Sequence, residues 1–262
     1  MGVINVTPDS FSDGGMLRDA AAAVTHGRRL LADGADWLDV GGESTRPGAT
    51  PVPELEELRR VVPVVEALAA EGARVSIDTR KPAVARAAVA AGARLWNDVG
   101  AANGALAAEL GVAWAAMHAQ GDPATMQDDP RYDDVVTEVR EALVARAESA
   151  RAAGVPEVWI DPGIGFGKTF DHNLAVLAHL DALVATGFPV LVGTSRKGFL
   201  GALLGASDGT AGPASVDDRL EGSLATATWA MACGAAMVRV HDVRATAHAA
   251  LVIGGHITKD AA

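Results

Sequence analysis

A (β/α)8 or TIM barrel, eight parallel strands surrounded by helices in the α/β class, is the fold this sequence predicts. Short apolar runs, each followed by an Ala/Leu-rich amphipathic stretch, recur eight times. The 262 residues are close to the roughly 250 that such a barrel uses. Nearly every apolar run also ends on a polar, chemically capable side chain. Residues 1–262 are accordingly expected to fold as a single domain.

The first run, 2–6, carries Asn5 and precedes a helix expected over 19–32. The second, 36–40, carries Asp39 and leads through a Gly-rich stretch to a helix over 54–70. The third, 74–78, ends on Asp78 and feeds a helix over 82–91, with Pro82 in the first turn, where its missing N–H is tolerated. Runs over 94–98 and 113–118 end on Asn97 with Asp98 and on His118, and a long helix is expected over 133–153. The sixth run, 158–161, ends on Asp161, and the seventh, 189–193, leads into Arg196 and Lys197. A helix over 219–232 comes before the eighth run, 236–241, which holds Arg239 and His241.

Runs that are apolar throughout suit strands covered on both faces. An open, doubly wound sheet is the alternative built from the same units. No Gly-x-Gly-x-x-Gly follows the first run, which favours the barrel. There the strand ends share one rim, the place where barrel enzymes do chemistry. A single polar group at a strand end is often only a helix cap, but eight in series point to a site.

Hydrophobic residues make up 49% and charged residues 21%, as in a folded globular chain. The net charge of −11 argues against nucleic acid or an anionic membrane as partner, because phosphate attraction needs a basic surface. An anionic ligand must therefore meet a local basic site. The lone Cys233 lies in an apolar run and is expected to be a buried structural thiol, with no intrachain disulfide possible. The opening residues lack the pattern of a signal peptide, no spanning segment is evident, and Val6 stands where a myristoylation signal needs Ser or Thr. A cytoplasmic location is expected.

Five loops carry the chemistry. Asn5-Val6-Thr7-Pro8-Asp9-Ser10-Phe11-Ser12-Asp13-Gly14-Gly15 is rich in oxygen donors and reads either as a turn with a helix cap supplied by Asp13 or Asp19, or as a lid that brings Asn5 and a carboxylate to a metal-bound diphosphate. Asp39-Val40-Gly41-Gly42-Glu43-Ser44-Thr45-Arg46-Pro47-Gly48 sets one arginine before a proline-fixed turn, where its fork suits a carboxylate or phosphate. Asp161-Pro162-Gly163-Ile164-Gly165-Phe166-Gly167-Lys168-Thr169 ends like a nucleotide-binding loop. However, Pro162 stands where that pattern needs Gly, so triphosphate binding is rejected. Gly193-Thr194-Ser195-Arg196-Lys197-Gly198-Phe199-Leu200-Gly201 puts two cations at a helix start, an anion site. In Arg239-Val240-His241-Asp242, alternation puts Arg239 and His241 on one side.

With these five motifs in this order, the sequence resembles the dihydropteroate synthase family over almost its whole length. The resemblance implies a (β/α)8 barrel, usually a homodimer, joining a dihydropterin diphosphate to p-aminobenzoate with release of pyrophosphate, on the folate pathway. Mg²⁺ is implied to assist the departing diphosphate. The match assigns Asp78, Asn97 and Asp161 to the pterin edge, Lys197 to the ring's acceptor atoms, and Met117 and Phe166 to the pocket's apolar walls. It assigns Asn5, Arg239 and His241 to the diphosphate, with Asn5 as the metal ligand. Thr45, Arg46, Pro47, Lys197 and Gly198 fall at the p-aminobenzoate site. Asp13, Lys197, Arg239 and His241 are the implied catalytic set. No protein nucleophile is needed, in keeping with the absence of a Ser/His/Asp or Cys/His arrangement. Sulfonamides, which mimic p-aminobenzoate, are expected to inhibit.

Gly198 and Gly100 stand where relatives often have Ser, so one hydroxyl contact to p-aminobenzoate is expected to be missing. The chain also opens directly on the first-strand motif, so thin cover of the barrel's lower end is expected. Pterin-dependent methyltransferases share such a barrel but are not expected to keep residues 42–48 or Ser195-Arg196-Lys197. A catalytically inactive pterin-binding paralogue is the other alternative.

Overall fold

The computed structural model describes residues 1–6, 16–44, 51–121 and 125–257. In chain order its elements are β1 (Gly2–Asn5), α1 (Met16–Ala32), β2 (Leu38–Gly41), α2 (Glu54–Ala70), β3 (Val75–Asp78) and α3 (Pro82–Ala90). Next come β4 (Leu95–Val99), α4 (Gly104–Leu110), β5 (Ala113–Met117), α5 (Val135–Ala152), β6 (Val158–Asp161), α6 (Phe170–Ala178) and α7 (Leu180–Val184). The last are β7 (Leu191–Val192), α8 (Gly198–Ser207), α9 (Leu220–Ala232), β8 (Met237–Val238) and α10 (Val243–Ile257). No helix among the described residues is long and apolar enough to cross a membrane.

β1 to β6 pair side by side in sequence order, every pair parallel, and β7 pairs with β8. Two parallel bridges, Ile160 with Val190 and Gly2 with Val240, join the two sheets at both edges, closing a TIM barrel. The Val240 N–H donates to the Met1 carbonyl at 2.9 Å, and the Val3 N–H donates to the Val240 carbonyl at 3.1 Å. β7 and β8 are shorter than the runs 189–193 and 236–241 suggest. The Val190 carbonyl accepts from both Ala236 and Met237, at 3.0 and 3.2 Å, and this doubling interrupts the even spacing of a parallel ladder.

Alternation sorts the strand residues into two environments. Outward side chains such as Ile4, Val40, Ile77, Trp96, Trp114, Ile160 and Val240 are buried in the main core beneath the helices. The lower interior, expected to be thinly covered, is filled by Met1, Leu95, Ala113, Ala115, Trp159 and Leu191, with Trp37 and Met237 packed against them. Above this plug the inward residues turn polar: Asp39, Ser76, Asn97 and Asp161 are all buried.

Helix starts are secured locally. The Asp134 side chain accepts from the N–H groups of Val136 and Thr137 at the head of α5, and Thr169 forms a capping box with His172 at the head of α6. Cys233 sits at the end of α9, half-buried rather than fully buried, and burial pushes its thiol pKa up, away from the reactive thiolate.

Candidate active site

The upper ends of the strands open on a cavity of about 840 Å³. Asn5, Asp78, Asn97, Met117, Asp161, Phe166, Lys197, Gly198, Arg239 and His241 all line it. Asp13, Thr45, Arg46 and Pro47 lie outside the described residues.

One wall is acidic. Asp161, at the end of β6, accepts the Gly163 N–H at 2.7 Å, and burial pushes its carboxyl above the ordinary range. Asp78 accepts from Arg239 Nη2 at 2.8 Å; burial raises its pKa, and the guanidinium opposes that rise. Asp78 Oδ1 and Asn97 Oδ1 are buried with no hydrogen-bond partner among the described residues. Two unpaired acceptors in a cavity wall are costly unless a ligand brings N–H groups to them.

Arg239 lies where the alternation of β8 carries it, half-buried between two carboxylates. Its Nε donates to Asp39 Oδ2 at 2.5 Å, and the same oxygen accepts from Asn97 Nδ2 at 3.2 Å. The two carboxylates raise the guanidinium's pKa despite burial, so it stays cationic. Beside it, Ser195 Oγ accepts from the His241 N–H at 3.1 Å and lies 3.0 Å from His241 Nδ1. When the serine proton is directed at Nδ1, the ring's hydrogen sits on Nε2 and the imidazole is a donor there; the opposite tautomer would donate from Nδ1 to Ser195.

The other wall is apolar and cationic. Phe166 and Met117 join Val99 and Met126 in a small buried cluster. The Lys197 ammonium stands 4.1 Å from the Phe166 ring centroid, and its charge draws the pKa values of Asp78 and Asp161 downward. The loop carrying Phe166 folds tightly onto the end of β5. Gly163 has φ 64°, and a Cβ there would lie 1.8 Å from the His118 carbonyl oxygen. Buried Lys168 fastens the loop by donating to the carbonyls of Gly163 and Phe166, both at 3.1 Å, and it stands 3.0 Å from His118 Nδ1. Desolvation lowers the Lys168 pKa to about 7 and that of His118 to about 3.

Three strand-end groups support structure instead. Asp98 follows the inward Asn97 and so points outward, accepting from the Asn103 N–H at 2.9 Å and from Trp114 Nε1 at 3.1 Å. His118 anchors Lys168. Arg196, expected to share an anion site with Lys197, is held bidentately by Asp242 at 3.1 and 2.8 Å. Its left-handed backbone, φ 59°, is pinned by the bond from its N–H to Ser223 Oγ. Gly198 opens α8, and a Cβ there would meet nothing within 4 Å.

Sequence reasoning also missed a brace behind the second loop. Fully buried Glu57 accepts from Thr79 Oγ1 at 2.7 Å and from Lys81. Lys81 also reaches Glu43 at 2.9 Å, and Glu43 accepts the Val52 N–H. Glu57 lies on α2 with no motif around it, so no pattern in the chain announced its role.

A barrel-top pocket lined by carboxylate and amide acceptors, by the apolar side chains of Met117 and Phe166 and by the cations Lys197 and Arg239 defines a barrel enzyme suited to an anionic ligand that carries N–H donors. Residues 1–241 match the family model described as pterin binding enzyme. The dihydropteroate synthase of Mycobacterium leprae is 51% identical over 262 residues, spanning 97% of this chain and 92% of that protein. The Xanthomonas albilineans dihydropteroate synthase structure with 4-aminobenzoic acid superposes with a TM-score of 0.89 at 48% identity, covering 98% of this chain and 92% of the other. A Yersinia pestis dihydropteroate synthase structure with a sulfonamide drug complex gives 0.89 at 43% identity, covering 98% and 94%. The chain belongs to the dihydropteroate synthase family of pterin-binding enzymes.

Proposed function

We propose that this chain condenses 6-hydroxymethyl-7,8-dihydropterin diphosphate with p-aminobenzoate, giving 7,8-dihydropteroate and pyrophosphate, a transferase step of folate synthesis. The observation that carries the reading is the pair of unpartnered buried acceptors, Asp78 Oδ1 and Asn97 Oδ1, in a cavity that also holds apolar Met117 and Phe166 and, bonded to Asp78 itself, the Arg239 guanidinium, with His241 on the same lining. A pterin offers adjacent N–H donors along one edge of a flat ring, and a diphosphate supplies the anion. One structural relative, from Xanthomonas albilineans, is in complex with 7,8-dihydropteroate.

In this reading Asp161, Asp78 and Asn97 accept from the pterin edge, Met117 and Phe166 hold the ring faces, and Lys197 donates to the ring's acceptor atoms. Asn5, Arg239 and His241 hold the diphosphate, and the two cationic or donor groups of the last strand stabilise the charge that grows on it as its C–O bond breaks. The bond electrons leave with pyrophosphate. The aniline nitrogen then attacks the electron-poor methylene and loses its proton. Lys197, Gly198 at the head of α8, and Thr45, Arg46 and Pro47 receive p-aminobenzoate; Asp13 closes the catalytic set with Lys197, Arg239 and His241. Catalysis rests on positioning and electrostatics, with no covalent enzyme intermediate.

Mg²⁺ belongs to the same proposal. The Asn5 side chain supplies one hard oxygen on the cavity wall, and an ion that keeps its waters and binds mainly through phosphates suits a site with few protein ligands. When bound it would neutralise diphosphate charge. We also propose a cytoplasmic homodimer; Leu251 and Val252 of α10, 74% and 68% exposed, offer apolar surface to a second copy.

The test is pyrophosphate release from the pterin diphosphate with Mg²⁺, with and without p-aminobenzoate, and mass detection of dihydropteroate. Release that depends on p-aminobenzoate supports the synthase; tight pterin binding without product would point to an inactive paralogue. Sulfonamides should inhibit in competition with p-aminobenzoate, and turnover indifferent to them at low p-aminobenzoate would count against the reading.

A further inference from the structure

We infer that Asp39 is a positioning residue, one carboxylate oxygen of which sets both the group that reads the pterin edge and the group that holds the diphosphate. The inference rests on the proposed function and extends it to a residue that touches no substrate. Asp39 is 0% exposed, is absent from the cavity wall, and sits on β2 one step below the Gly41–Asp78 level of the barrel.

Its Oδ2 accepts from Asn97 Nδ2 at 3.2 Å and from Arg239 Nε at 2.5 Å. A carboxylate cannot donate, so the Asn97 amide must turn its NH2 down towards Asp39 and present Oδ1 as an acceptor. That Oδ1 is buried and has no hydrogen-bond partner among the described residues, as is true of Asp78 Oδ1 and of Asp39's own Oδ1. With the amide flipped, Asn97 would oppose a pterin N–H with a donor. The same oxygen pins Arg239 through Nε while Asp78 holds Nη2 at 2.8 Å. Two bonds along one edge fix the plane of a rigid guanidinium, and the edge carrying Nη1 is the part these carboxylates do not bind. Asp39 thus ties together β2, β4 and the end of β8, and holds at a constant separation the contacts for the two ends of one substrate.

The test measures binding of two fragments separately: 6-hydroxymethylpterin, which lacks the diphosphate, and inorganic pyrophosphate with Mg²⁺. Asp39→Asn keeps the volume and removes the charge. It should weaken both probes by about tenfold or more, the scale of a lost charge-assisted bond, while KM for p-aminobenzoate stays within about twofold. Asn97→Ala should weaken the pterin probe alone. Asp39→Glu, which keeps the charge but displaces the oxygen, should repeat the two-probe loss and decides the matter if Asp39→Asn does not fold. The inference fails if the Asp39 variants leave pyrophosphate binding intact, or weaken all three ligands alike as the melting temperature falls. A wild-type protein that binds neither probe would instead overturn the function on which it rests.

Discussion

Lys197 stands over Phe166 with its charge within reach of Asp78 and Asp161. In the proposed reaction it lies between the two substrates. Lys197→Ala should reduce kcat/KM by about 10²-fold or more, the usual cost of losing one preorganised electrostatic contact, and steady-state turnover within a few-fold of wild type would remove it from that role. His118 offers a stability test. Burial and the neighbouring Lys168 charge hold its pKa near 3, whereas the unfolded chain protonates it below about 6.5. Its contribution is therefore complete above pH 6.5 and is lost as the pH falls towards 3, amounting to about 2 kcal/mol of lost stability by pH 5. Lys168 itself titrates near 7 in the folded state, so below that pH it adds little to the slope. His118→Asn keeps an acceptor for Lys168 without a titrating ring. Denaturant midpoints at pH 7 and pH 5 should differ less in this variant, and an equal loss in both proteins would assign the slope to other groups.

Among the elements, the loop from β6 to α6 is tightly constrained at Gly163 and Gly167. Gly163→Ala would force a left-handed alanine into the His118 carbonyl and should cost at least about 2 kcal/mol together with most of the pterin affinity. Gly187→Ala is also left-handed, φ 81°, but meets nothing within 4 Å. It should cost only about 1 kcal/mol and leave turnover unchanged. Thermal melts with pterin titrations on the two variants separate collision from backbone strain; similar losses in both would contradict the collision. Part of this level was legible in the chain, since the helix expected over 54–70 is α2, which runs on through Pro63. The ends of β7 and β8 were not legible, because the doubled acceptance by Val190 is a matter of three-dimensional register. Nor was the turning of Arg196 towards Asp242, since two adjacent cations look alike in sequence and differ only in the backbone twist between them.

The whole barrel separates stability from chemistry along its axis. Its lower interior is an apolar plug around Leu95 and Trp159, and its upper interior is buried polar surface whose desolvation is a cost borne for function. Leu95→Ala, at a fully buried position, should lose about 2–5 kcal/mol of stability with little change in kcat of the folded fraction. Asp161→Asn should do the reverse, leaving the melting temperature level or higher while pterin binding falls. Paired melting and turnover measurements test this, and a Leu95→Ala protein of normal stability would show that the plug is not what holds the barrel. Eight strand-end groups in series predicted the shared rim. The assignment of each to ligand or scaffold needed the geometry, because Asn97 and Asp98 are neighbours in the chain and face opposite sides of the wall.

The bond from Arg239 to Asp39 spans 200 residues and that to Asp78 spans 161, while the strand carrying Arg239 is seated against Met1 and Val3. A ribosome making this protein thus builds most of a barrel before the diphosphate end of the cavity has its guanidinium. Until residues past Val240 emerge, Asp39 and Asp78 are carboxylates without their guanidinium, and the seam beside β1 lies open. A nascent chain halted after β7 should accordingly be sensitive to protease and indifferent to pyrophosphate, and should acquire protection and ligand response together when the last strand is released.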